Sequence, residues 1–78
     1  MAKQIGIGRK VIVVVIVENH YELAIWQGAH LISNVVRKPG VASAFEQAKK
    51  WSQRYGYKVV PAGMPYDNLF LTLNTVIL

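Results

Sequence analysis

The sequence predicts an α+β fold in which an antiparallel β-sheet packs against one helix, with elements in the order β-β-β-α-β-β. Three stretches carry that expectation. Val11 to Val17 is an unbroken, mostly β-branched apolar run, the composition that suits a pleated surface. Tyr21 to Gln27 sets Tyr21, Leu23 and Ile25 against Glu22, Ala24 and Trp26, a period of two. From Ala44 to Tyr55, Ala44, Phe45, Ala48, Trp51 and Tyr55 recur at helical spacing, with charged and amide side chains between them.

In chain order, the first strand runs from about Lys10 to Glu18 and Asn19-His20 is read as its turn. The second strand follows, and Gly28 supplies the next turn. Ala29 to Arg37 completes a meander with imperfect alternation, since Leu31 and Ile32 are adjacent and Ser33 and Asn34 interrupt the apolar pattern, which allows a bulge near Ser33. Lys38-Pro39-Gly40 ends the sheet pattern. Ser43 and Glu46 have the spacing of a capping box, so the helix starts there or one turn earlier, and Gly56 is expected to close it in a left-handed conformation. Trp51 and Tyr55 are read as core. Tyr57 to Val60 returns to the sheet, Pro61, Gly63 and Pro65 form a stiff connector, and Leu69 to Leu78 is read as a final strand with apolar atoms on both faces.

A chain of 78 residues is expected to form a single domain over 1–78, with hydrophobic residues at 53% and charged residues at 17%, far from the composition of a disordered chain. The sequence contains no cysteine, so disulfide and thiolate chemistry are excluded and a reducing, cytoplasmic setting is the expectation. Val11 to Val17 is too short to span a bilayer and no small-residue cleavage site follows the basic N-terminus, so neither a membrane segment nor an export signal is inferred. One helix is not enough to cover a sheet whose first strand is apolar at every position and whose neighbours add Trp26 and Phe70. A second copy, another protein, or the C-terminal strand folding across is expected to cover the remainder.

No residue set suggests catalysis, a metal or a cofactor. His20 and His30 stand without a cysteine or carboxylate cluster and are read as turn and surface residues. Ser33, Ser43 and Ser52 lack the context of an activated nucleophile. Ile5-Gly6-Ile7-Gly8-Arg9-Lys10 has glycines and basic residues but not the spacing or flanking elements of a phosphate-binding loop. Charge is the remaining signal. Nine Lys and Arg against four Asp and Glu give +5, and Arg37, Lys38, Lys49, Lys50, Arg54 and Lys58 cluster along the chain around the helix and its flanks. Glu46 has the spacing to pair with Lys49 and Lys50, which would make this an ordinary solvated helix face; left unpaired, the same residues would meet phosphates or acidic side chains.

The run of short strands, then Lys38-Pro39-Gly40-Val41-Ala42 leading into a helix that carries Trp51 and closes at Gly56, then further strands, resembles the architecture of compact phage-encoded anti-CRISPR proteins. A similar strand-strand-helix-strand core occurs in a phage inhibitor of bacterial RNA polymerase. The likeness covers most of the chain and is one of size and element order. It implies a non-enzymatic inhibitor that binds a host protein complex handling nucleic acid and occludes it sterically. In that reading Lys49, Lys50 and Arg54 meet acidic groups of the target, with Arg37 and Lys38 at the rim. Two other classes remain: a small nucleic-acid-binding domain that uses the basic patch, and a structural homodimer that uses the apolar sheet face.

Overall fold

The computed structural model describes residues 9–76. Strands β1 (Lys10–Val17) and β2 (His20–Gln27) form an antiparallel hairpin, in register from Lys10 opposite Gln27 to Val17 opposite His20. The turn is Glu18-Asn19, one residue earlier than the sequence suggested, and Glu18 takes a positive φ of 55°. A second two-residue turn, Gly28-Ala29, leads to β3 (His30–Leu31); there the left-handed position, φ 61°, is filled by glycine, which has no Cβ to clash.

The third strand of the expected meander is broken into β3 and β4 (Val36–Lys38), both antiparallel to β2. Leu31 lies opposite Trp26 and Val36 opposite Leu23, so the edge chain advances five residues where β2 advances three. The extra residues bulge at Ser33. Ile32 N–H donates to Ile25 O at 2.9 Å, and the Ile25 N–H, which has lost its ladder carbonyl, donates to Ser33 Oγ at 2.9 Å.

Helix α1 (Val41–Tyr55) follows, and the chain returns as β5 (Lys58–Pro61) parallel to β1, with Ile12 beside Val59. The sheet is therefore mixed, with the edge formed by β3 and β4, then β2, β1 and β5, and not purely antiparallel as the sequence suggested. The cause is the helix. β4 runs parallel to β1, and a 15-residue helix, roughly 22 Å long, carries the chain back across the sheet so that the next strand starts where β4 started. Gly40, extended at φ −143°, precedes the helix, and Ala44 N–H donates to Gly40 O at 3.0 Å. Ser43 thus sits inside the first turn and makes no capping bond; the start is the earlier of the two weighed. Gly56 closes the helix as expected, at φ 73°, its N–H donating to Ser52 O at 2.8 Å.

The largest correction is at the C-terminus. The segment read as a fifth strand in the β-β-β-α-β-β order is a second helix, α2 (Asp67–Val76); the part of that reading at 77–78 lies outside the described residues. A strand would have grouped Leu69, Leu71 and Leu73 on one face. Instead Phe70 and Leu73 are buried (0% and 4% exposed) while Leu69 and Leu71 stay 41% and 44% exposed, the spacing of a helix face. Asp67 holds the helix entry: its Oδ1 accepts from Met64 N–H at 3.0 Å, and its own N–H donates to Met64 O at 3.2 Å.

Both helices pack on one face of the sheet. Ile12, Val14, Tyr21, Leu23, Ile25 and Val59 meet Ala44 and Ala48 of α1 and Phe70 and Leu73 of α2, with the Phe70 ring 5.8 Å from Phe45 and 6.5 Å from Tyr21. The opposite face carries Val11, Val13, Val15, Ala24 and Trp26, which line a shallow depression of about 350 Å3. Helix α2, packed on the other side, does not cross it.

Candidate docking surface

α1 turns Ala44, Ala48 and Ser52 into the core, which leaves the next stripe of the helix in solvent. Glu46, Lys49, Lys50, Gln53 and Arg54 share one shallow surface there, and a second depression, bounded by Lys38, Ser43, Glu46, Gln47 and Lys50, continues it toward β4. Lys38 reaches this side because it lies opposite Tyr21, whose ring faces the helices. Lys38, Lys49, Lys50 and Arg54 therefore form one continuous basic surface.

The i+3 and i+4 pairing of Glu46 with Lys49 and Lys50 does not form. Among the described residues no ion pair involves Lys38, Lys49, Lys50 or Arg54, and Arg54 instead places its guanidinium carbon 5.6 Å from the centre of the Tyr55 ring. Four cations beside one carboxylate leave the surface strongly positive. Beside it, Phe45, Lys49, Ser52, Gln53, Thr72 and Leu73 border a groove of about 600 Å3 between the helices.

Arg37 and Lys58 are elsewhere. Arg37 lies opposite Glu22, on the sheet face away from the helices, where its Nε is 3.5 Å from Glu22 Oε2. The same carboxylate oxygen is 2.9 Å from His20 Nε2, so the half-buried His20 is tied into a three-residue corner. Lys58 stands beside Val11 on that same outer face. Proximity in sequence groups these two with the helix cations, but alternation along the strands turns Arg37 and Lys58 to the face opposite Lys38 and the helices.

The two aromatic residues at the end of α1, both expected in the core, take different positions. Trp51 packs against the core, but Tyr55 is 46% exposed. It lies on the inward stripe, yet in the final turn, where Gly56 redirects the chain, and its ring stacks on Tyr57 with centroids 5.2 Å apart and planes 19° apart. The Tyr55-Gly56-Tyr57 spacing around a helix-closing glycine was the available signal.

Among the described residues no three His, Cys, Asp or Glu side chains gather in a way that would hold a metal ion, and no helix is long and apolar enough to cross a membrane. No protein-family model, curated protein or solved structure matches this chain.

Proposed function

We propose that this protein is a non-enzymatic interaction protein that docks through the basic surface of α1 and β4 onto an acidic region of a host protein complex that handles nucleic acid, and blocks it by occupying space. The observation that carries the reading is that Lys38, Lys49, Lys50 and Arg54 share a surface and make no ion pair among the described residues. Four unpaired cations on a helix and an adjoining strand give a partner with carboxylates or phosphates a steered approach and a fixed register. Small size and the order of the first elements support an anti-CRISPR-like role, acting in the cytoplasm and needing no cofactor.

The test is co-purification of the tagged protein from a bacterial lysate, with and without nuclease. A defined protein complex that survives nuclease is the expected result. Loss of all bound material on nuclease treatment overturns the reading in favour of direct nucleic-acid binding, and recovery of the chain only with itself overturns it in favour of a homodimer.

A further inference from the structure

We propose that the C-terminal end of α1 is a stacking site for an unpaired nucleobase, which makes single-stranded nucleic acid a ligand of this chain. The site is the Tyr55–Tyr57 pair with Arg54 over the Tyr55 ring. Two rings that already stack need little further ordering, and a base joins the column on the Tyr55 side, beside or in place of the Arg54 guanidinium, which is itself a planar stacking partner. Tyr55 keeps nearly half its surface in solvent, and a base offers the π-face that such a column takes up.

The distribution of charge selects the same end of the molecule. α1 finishes where β1 and β5 begin. Lys10 and Tyr57 each precede the Val11–Lys58 pair by one residue; by strand alternation Lys10 falls on the side of Ile12 and Tyr57 on the side of Val59, both facing the helices. Arg9, Lys10, Arg54 and Lys58 thus gather at this end, all exposed. All four acidic residues of the chain lie toward the other end. Glu18 follows the last residue of β1, Asp67 opens α2 after the connector that leaves the end of β5, Glu22 is opposite Val15, and Glu46 is in the second turn of α1. The partial negative charge of the helix C-terminus is offset by Arg54. Among the described residues, a phosphate backbone running past the tyrosines meets cations and no acidic side chain, and the stacked rings distinguish an unpaired strand from a duplex, whose bases are already stacked on one another.

Arg54 belongs also to the docking surface, but Tyr55 and Lys10, the residues substituted in the test, lie outside it, as does Tyr57. The test is fluorescence anisotropy of a labelled oligothymidylate of roughly twelve nucleotides at low salt. Wild-type protein is expected to bind. Tyr55→Ala is expected to weaken binding by roughly 5- to 150-fold, and Tyr55→Phe, which keeps the ring, by less than about twofold. Lys10→Gln leaves both rings in place and is expected to lower the slope of log K against log salt by about 0.7. Absence of binding overturns the proposal. So does binding that Tyr55→Ala leaves unchanged, because charge alone would then account for it.

Discussion

The side-chain amide of Asn74 takes both backbone groups of Val59: Val59 N–H donates to Asn74 Oδ1 at 2.7 Å, and Asn74 Nδ2 donates to Val59 O at 2.9 Å. Ala62 N–H donates to Val14 O at 3.0 Å, so by alternation Val60 and Lys58 also point at β1 while Val59 and Pro61 point outward, at the free edge of the sheet. Asn74 stands in for the missing neighbouring strand, and Pro61 has no N–H to offer one. This edge is closed to strand addition at Val59 and Pro61.

Replacing Asn74 with Ala removes both bonds and is expected to cost about 2 kcal/mol, roughly 1 for each. Urea unfolding measures this. A loss below about 0.5 kcal/mol would mean that water satisfies Val59 equally well and that the amide is incidental. The same variant is expected to self-associate at concentrations where the parent does not, because the edge is reopened.

The helical reading of the C-terminus has its own signature. Phe70→Ala, which empties a fully buried site, is expected to cost about 3–5 kcal/mol, whereas Leu71→Ser on the exposed stripe should stay within about 0.5. A strand buried on its leucine face would reverse that order, so the two unfolding curves separate the alternatives.

Glu18 and Gly28 occupy the same first position of two-residue hairpin turns, and both have positive φ. Glutamate carries the steric cost of a Cβ there and glycine does not. Glu18→Gly is therefore expected to stabilise the protein by about 0.5–1 kcal/mol, after allowance for the larger entropy of glycine in the unfolded chain. That is a rise of a few degrees in the melting midpoint. An unchanged or lower midpoint would show that the turn carries no relievable strain.

At the bulge, Ser33→Ala leaves the N–H of buried Ile25 without its acceptor, a loss of about 1–3 kcal/mol. Faster hydrogen exchange at the Ile25 amide, with exchange at Ile12 keeping pace only through the change in global stability, is the expected pattern. Equal protection of Ile25 in both proteins would contradict the assigned bond.

The parts of this architecture legible in the sequence are those where one residue type fixes the backbone: the β-branched run of β1, the Gly28 turn, the Gly56 helix end and the irregularity at Ser33. The C-terminal helix was not legible from period alone. Leu69 to Leu73 is apolar at every position but Thr72, so alternation and helical spacing fit almost equally well, and the deciding contacts, Asn74 on Val59 and Phe70 on Phe45, are made with residues distant in the chain. Asp67 after a proline-rich connector was the local hint of a helix start. The parallel pairing of β5 was within reach, since a full-length helix between two strands of one sheet brings the second back in the direction of the first. Of the basic residues, Lys38, Lys49, Lys50 and Arg54 fall together because helix spacing and one strand face align them. Arg37 and Lys58 separate because each strand step turns a side chain to the opposite face.

The most direct measurement compares two charge variants in capture of the nuclease-resistant partner complex. Lys49→Glu with Lys50→Glu reverses the proposed surface, and Arg37→Gln with Lys58→Gln removes as many cations from the opposite sheet face. The account predicts a loss of roughly tenfold or more for the first pair and near-parental capture for the second. Equal losses, or a greater loss for the Arg37 and Lys58 pair, would contradict it.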